Sequence, residues 1–169
     1  MTNYWMIKWN PDAKSSSDLQ QDFAIYLRAR PPYAPARILK NRCNKVEVLT
    51  SRLFAEVKCC DIVAAYQAGK GILHGFCIAT GTEVRDGTRW VHLLPAYVLE
   101  KPIRLLRLKR ENNSPLQSCE FLKPSLPRSL YKLSPHDAAL IYTLCPDEAQ
   151  VKVAAKVSEC LVDNMSQTI

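Results

Sequence analysis

The side chains best suited to chemistry in this chain are aromatic and amide groups that can contact a nucleobase. An aromatic face stacks on any base and contributes roughly 1–3 kcal/mol per base. An amide both donates and accepts hydrogen bonds, which suits a Watson–Crick edge. Side chains of these types that could contact a base include Trp90, Trp9, Asn10, Tyr66 and Tyr33. Structural roles explain some of them equally well, because Trp90 fits the core of an amphipathic strand and Asn10 fits a turn.

Basic side chains predict contacts to phosphate. The sequence has 23 Lys and Arg against 16 Asp and Glu, a formal net charge of +7, and this balance favours anionic partners, nucleic acid first. The candidates for phosphate binding are Lys8, Ser51, Arg52, Arg37 and Arg42. Ser51 and Arg52 start a predicted helix, whose N-terminus attracts anions or is simply capped there. Arg37 and Arg42 belong to a dense basic group over 28–45, whereas the basic run over 104–110 is typical of a solvated face.

Catalytic and metal-binding patterns are sparse. The three histidines, at 74, 92 and 136, have no signature around them, although His74 and His92 could come close on adjacent strands. The seven cysteines include no CxxC pair, and His74 and Cys77 would point to opposite faces of a strand. We therefore predict reduced intracellular thiols, with Cys59 and Cys60 inert, and neither a metal nor a cofactor.

The elements that must position these residues begin with strands. The apolar run over 3–9 predicts a first strand with Trp5, Ile7 and Trp9 on one face. A short helix over 50–57 precedes strands over 61–66, 72–80 and 89–94. Gly75 marks a bulge or a close approach of two backbones in the second of these strands, and 83–88 is a polar tip. A last strand is predicted over 103–108.

The C-terminal third is predicted to be a loop followed by helices. Residues 111–127 have the composition of a long loop with little structure. Ser134 and Pro135 begin one helix, and Pro146 begins another with Val153, Val157 and Leu161 on one stripe. The predicted organisation is α+β, with one domain over 1–145 and a helical appendage over 146–169.

Several segments resemble the EVE domain of the PUA-like superfamily and, more distantly, the YTH domain. EVE first strands begin with Tyr-Trp, two apolar residues and Lys, as residues 4–8 do here. VKCCDIVAAY, over 57–66, is similar to an EVE motif with Cys60 in place of its usual glycine. GKGILHGFCIAT and RWVHLLP are similar to YTH segments, and Trp90 matches a tryptophan of the YTH base cage. Residues 128–137 resemble the end of the EVE pattern.

The resemblance implies a PUA-like curved sheet or open β-barrel of five to six strands with flanking helices. It also implies a nucleic-acid-binding reader without catalysis, which holds a flipped, modified base in an aromatic pocket. Lys8 and Asn10 match YTH positions that contact backbone phosphate and a base edge. Both families usually place a second tryptophan between the first strand and the central helix, and Tyr33 or Trp9 would take that role here.

Two other functions remain open. A small hydrolase on the related ASCH-type barrel would use Lys8, His74 or His92 on a nucleoside or nucleotide. A protein-interaction domain would self-associate through the helix over 146–164. The expected partner is DNA or RNA. We also expect a cytoplasmic location and no membrane association, because the sequence contains neither a signal-peptide pattern nor an apolar run of membrane-spanning length.

Overall fold

A computed structural model describes residues 2–9, 55–67, 70–85, 88–123 and 130–166, with the backbone alone described for Trp9, 83–85 and 88–90. The strands are β1 (Tyr4–Trp9), β2 (Ile62–Gln67), β3 (Ile72–Arg85), β4 (Thr88–Arg104) and β5 (Leu130–Leu133). The helices are α1 (Leu105–Lys109), α2 (Pro135–Thr143) and α3 (Asp147–Ser166), with 3-10 turns at Pro115–Ser118 and Glu120–Leu122.

The five strands form one open mixed sheet in the order β4-β3-β2-β1-β5. β1 and β2 run parallel, and the other neighbouring pairs are antiparallel. The parallel pair requires a long crossover, which the residues between Trp9 and Ile62 supply. The predicted α+β class and the predicted sheet are therefore confirmed, and the described residues supply five of the five to six expected strands.

The alternation predicted for the first strand is confirmed. Trp5 and Ile7 are buried in a cluster on one face of the sheet, while Met6 is buried on the other. Trp5 is fully buried, as expected for a core position in a first strand. The second face carries the larger cluster, and α1, the 3-10 turns, α2 and α3 all contribute buried side chains to it.

The strands over 89–94 and 103–108 are not two separate elements. β4 is continuous over 17 residues, and the polar tip between β3 and β4 is narrower than predicted because both strands extend into it. The prediction of a strand through residue 108 is wrong beyond Arg104. The next five residues, LLRLK, have high helix propensity, and the backbone N–H of Leu106 donates to the Gly71 carbonyl at 3.4 Å.

The segment over 111–127 contains more structure than its composition predicted. Its two 3-10 turns bury Leu116, Phe121 and Leu122, and the Ser114 hydroxyl accepts a hydrogen bond from the Leu116 N–H at 3.3 Å. The strand β5, which pairs with β1, was not predicted because its four residues follow a proline-rich stretch.

The C-terminal helices begin where predicted. The Ser134 hydroxyl accepts a hydrogen bond from the Asp137 N–H at 3.0 Å, and Pro135 takes the first turn of α2. In α3, Val153 is buried, but Leu161 is 49% exposed. The buried stripe instead contains Ala149, Val153 and Cys160, because α3 packs against β3 and β4 with that face. Among the described helices, none has the length and apolar composition of a membrane span.

Candidate nucleic-acid interface

One end of the sheet brings together predicted site residues from β1 and β2. The strand pairing places Lys8, Tyr66, Leu73 and Ile103 side by side in one row across β1, β2, β3 and β4. The next row contains Trp9, Gln67, Ile72 and Arg104. The carboxyl ends of β1 and β2 therefore lie beside the end of β4 and the start of α1.

Lys8 is held between two tyrosine rings at this end of the sheet. Its Nζ lies 4.3 Å from the ring centroid of Tyr131 and 5.7 Å from that of Tyr66. Both distances allow attraction between the ammonium and the ring faces. Partial burial, together with the nearby charge of Lys109, lowers the pKa of Lys8 to about 8. The ammonium is therefore a positioned charge whose protonation responds to an incoming anion.

Further cations lie at this end of the sheet, among them Lys109, whose charge acts on Lys8, and we call the whole group the basic end. Lys70 lies in the turn between β2 and β3, directly before Gly71, whose φ of +69° suits glycine. That turn contacts α1, since a Cβ on Gly71 would collide with the side chain of Leu106. The basic end comprises Lys8, Lys70, Arg104, Arg107, Lys109 and Arg110. Four of these, Lys70, Arg104, Arg107 and Arg110, have exposed side chains that can reach phosphate groups.

Tyr66 and His74 are part of the packing at this end. Tyr66 is 3% exposed, and burial raises its pKa to about 12, so it supports Lys8 from below and presents no open face for stacking. The imidazole Nε2 of His74 lies 2.9 Å from the Gln67 side-chain oxygen. Burial, together with the charge of Lys70, lowers the pKa of His74 to about 4. His74 is therefore neutral at physiological pH.

The two histidines considered for hydrolysis do not come together. His92 pairs with Gly81 on β3, whereas His74 lies close to the residues that pair with Val98 and Ile103. The expectation that they meet on adjacent strands is wrong, because the strand register separates them by several residue pairs.

Trp90 lies far from Lys8 along the sheet. Its backbone pairs with Glu83 in the part of the β3–β4 hairpin that extends beyond β2. Between Trp90 and Ile103, which lies in the row of Lys8, β4 has a contour length of about 40 Å at about 3.3 Å per residue. The structure thus brings Lys8 together with Tyr66 and separates both from Trp90 along the strand.

The remaining predicted site residues are located only in part. Trp9 ends β1 opposite Gln67, with its backbone alone described. The others lie outside the described residues: Asn10, Tyr33, Arg37, Arg42, Ser51 and Arg52.

Two members of the interface were not predicted. Tyr131 reaches Lys8 only because β5 pairs with β1. The alternation in Leu130–Leu133, with three buried residues and an exposed lysine, was the available signal. The basic run over 104–110 was interpreted as a solvated face, and Arg104, Arg107 and Arg110 are indeed exposed, but Lys109 of the same run lies close enough to Lys8 to lower its pKa.

Comparison with known proteins identifies the fold. No family model matches the chain, and no curated protein matches it in sequence. The human THYN1 protein in complex with 5-methylcytosine containing DNA aligns with a TM-score of 0.58 and 11% identity, covering 85% of this chain and 97% of that one. The DUF55 domain of human thymocyte nuclear protein 1 aligns with a TM-score of 0.55 and 12% identity, covering 83% and 97%.

A bacterial protein has the same architecture. Protein Atu2648 from Agrobacterium tumefaciens aligns with a TM-score of 0.56 and 15% identity, covering 84% of this chain and 92% of that one. These structures share the fold of this chain and agree with the predicted α+β sheet with flanking helices.

Proposed function

We propose that this protein is a nucleic-acid-binding reader domain whose basic end contacts the phosphate backbone. The observation that carries the proposal is the Lys8 ammonium held over two tyrosine rings near Lys109, at an end of the sheet that carries four exposed cations. Several cations that neutralise neighbouring phosphates release counterions, which gives affinity for any sequence. The THYN1 structure, which has the same fold and contains 5-methylcytosine DNA, supports DNA as the first ligand to test.

Base recognition is the finer part of the proposal. A flipped, modified base stacks on an aromatic side chain, and an apolar contact with one added methyl contributes on the order of 0.8 kcal/mol. Trp9 and Trp90 are the two candidate stacking residues, one beside Lys8 and the other on the extended β3–β4 hairpin. Extrusion of the base costs a few kcal/mol, so a mispaired, damaged or single-stranded target is preferred.

Binding should weaken uniformly when the basic end loses charge. We expect Lys8→Met and Arg104→Gln each to weaken binding of short DNA duplexes roughly fivefold and to reduce the salt slope by about 1, as for the loss of a phosphate contact. Fluorescence anisotropy at several salt concentrations measures both quantities. Lys152→Met is the matched control, because Lys152 lies on α3 and pairs with Glu148 at 3.0 Å. An equal loss of affinity in the control, or no loss of affinity in the two variants, would contradict the proposed interface.

The tryptophan variants separate base recognition from phosphate contact. Trp9→Ala and Trp90→Ala are compared on oligonucleotides with and without 5-methylcytosine, and loss of the stacking residue is expected to cost about 1–3 kcal/mol, roughly 5- to 150-fold. Equal binding of all oligonucleotides by all variants would refute the base pocket, while the proposal of phosphate binding would stand.

The depressed pKa of Lys8 predicts pH-dependent binding. Below its pKa of about 8 the ammonium is charged, so affinity for nucleic acid should fall as the pH rises above that value. A bound phosphate favours the charged form of Lys8, so its pKa is higher in the complex than in the free protein. Lys8→Arg should abolish the dependence, because arginine stays charged throughout this range. A wild-type affinity that is constant between pH 7 and 10 would argue against Lys8 as a contact.

Self-association through α3 is the second interaction we propose. Val151, Val162 and Met165 are 69%, 63% and 73% exposed and share the helix face opposite the buried Val153 and Cys160. Sedimentation at increasing concentration should detect a dimer that Val162→Glu abolishes. An unchanged monomer at all concentrations would refute it.

A further inference from the structure

Three cysteine side chains from distant parts of the chain converge on one point. The Sγ atoms of Cys59 and Cys160 are 3.8 Å apart, and those of Cys59 and Cys60 are 3.9 Å apart. All three sulfur atoms lie within 4.8 Å of one another. The cluster lies before the start of β2, at the opposite end of that strand from Tyr66, so it is separate from the basic end.

We propose that Cys59, Cys60 and Cys160 form a binding site for a thiophilic metal ion, with Zn²⁺ as the expected species. With Zn–S bonds of about 2.3 Å and tetrahedral angles, neighbouring sulfur ligands are about 3.8 Å apart. The two measured sulfur separations match that value. Thiolates select zinc over the hard cations magnesium and calcium, which take oxygen ligands. The sequence indicated no such site because adjacent cysteines without a CxxC spacing do not predict one.

The backbone at Cys60 supports a role for its thiol. Cys60 has a φ of +66°, a left-handed conformation that is unfavourable for a residue with a side chain and that glycine adopts freely. The turn is closed by a hydrogen bond from the Asp61 N–H to the Lys58 carbonyl at 3.1 Å. A cysteine at this position therefore adds a third sulfur to the cluster at a local conformational cost.

The surroundings of the cluster suit a bound metal. The Asn164 side-chain nitrogen lies 3.0 Å from the Cys59 sulfur and 3.3 Å from that of Cys60, where it can donate to thiolates. An adjoining cavity of about 230 Å³ is lined by Cys59, Cys160 and Asp163, among others. A solvent molecule in this cavity can supply the fourth ligand. Lys156 and Glu159 line the same cavity and pair with each other at 2.6 Å.

A metal at this point would tie α3 to the rest of the fold. Cys160 belongs to α3, while Cys59 and Cys60 precede β2, so one ion would link segments about a hundred residues apart. Binding only to the folded state stabilises that state by mass action. The bound metal is therefore expected to stabilise the packing of α3 against the rest of the fold.

The test titrates the reduced, metal-free, full-length protein with Co²⁺ and then with Zn²⁺. Cobalt bound by thiolates has a charge-transfer absorption, and we expect it to saturate at one equivalent and to disappear as Zn²⁺ displaces cobalt. Cys59→Ser and Cys160→Ser should each weaken binding more than about 100-fold, because loss of an outer-shell partner alone costs about 10- to 100-fold. Asn164→Ala should therefore weaken it about 10-fold. Zn²⁺ should also raise the Tm of the wild type.

Two further variants keep the test decisive. Cys60→Gly removes the third thiol while favouring the left-handed turn, so its loss of binding cannot be attributed to misfolding of that turn. Cys145→Ser lies outside the cluster, and its hydroxyl can still donate to the Ile141 carbonyl, so it should bind metal like the wild type. Absence of stoichiometric binding in the reduced protein, with a Cys59–Cys160 disulfide as the stable product in air, would overturn the proposal. Binding that survives both serine substitutions would do the same.

Discussion

Replacing Asp61 with alanine is expected to lower the free energy of unfolding by about 3–5 kcal/mol, because several buried donors lose a charged acceptor. The Asp61 side chain is 1% exposed. It accepts hydrogen bonds from the Trp5 indole Nε1–H at 2.8 Å, from the Lys58 N–H at 2.9 Å and from the Asn3 N–H at 2.9 Å. The carboxylate therefore ties the start of β1 to the turn that precedes β2. A loss of this size is a large part of the 5–15 kcal/mol that stabilises a typical domain.

Urea denaturation followed by circular dichroism measures this effect. Glu120→Ala is the matched control, since that carboxylate is 79% exposed and pairs with Lys123 across the surface. The free energy of unfolding of this control should fall by no more than about 0.5 kcal/mol. Trp5→Phe should have an intermediate effect, because it removes one donor while keeping an aromatic ring in the core. An Asp61→Ala protein as stable as the control would mean that water replaces the lost acceptor.

Replacing Gly75 with alanine is expected to destabilise the fold by about 3 kcal/mol or more. A Cβ on Gly75 would collide with the backbone carbonyl oxygen of Tyr97 and lie 3.0 Å from the Cα of Val98. Neither atom can move away by a side-chain rotation, so β3 and β4 must separate. Gly75 also has a φ of +152°, which strains any residue with a Cβ.

Gly81→Ala separates these two contributions. Gly81 has a nearly identical φ of +159°, but a Cβ there would meet nothing within 4 Å. The control should therefore carry only the conformational cost, of order 1–3 kcal/mol. The excess loss in Gly75→Ala, measured by the same denaturation experiment, reports the collision between the strands. Equal losses in the two variants would place the whole effect in backbone strain.

The special role of Gly75 in the strand was predicted from the sequence, because an isolated glycine within a strand pattern indicates a bulge or a close backbone approach. The structure contains both, with a register shift between Leu73 and Gly75 and close contact with β4. The EVE-like motif around Asp61 was also recognised from its residues. What the motif does became evident only from contacts, which show a left-handed turn at Cys60 followed by a carboxylate that binds Trp5.

The candidate site was predicted less completely than the fold. Lys8 was identified by its position at the end of β1, but its partner Tyr131 comes from a strand whose pairing depends on contacts over more than a hundred residues. Trp90 was placed in the same pocket as Lys8, although the strand register puts a long stretch of β4 between them. Sequence patterns give the face of a strand on which a residue lies, and they do not give its position along a neighbouring strand.

The sequence by itself determined the local features of this protein: the alternation of β1, the cap of α2 and the glycine positions. These follow from interactions among residues a few positions apart, which periodicity and capping preferences express directly. Only the tertiary structure decided which distant groups meet, such as Cys160 with Cys59 and Tyr131 with Lys8. Such contacts depend on strand order, strand register and helix docking together. A shift of the register by one residue would separate the groups.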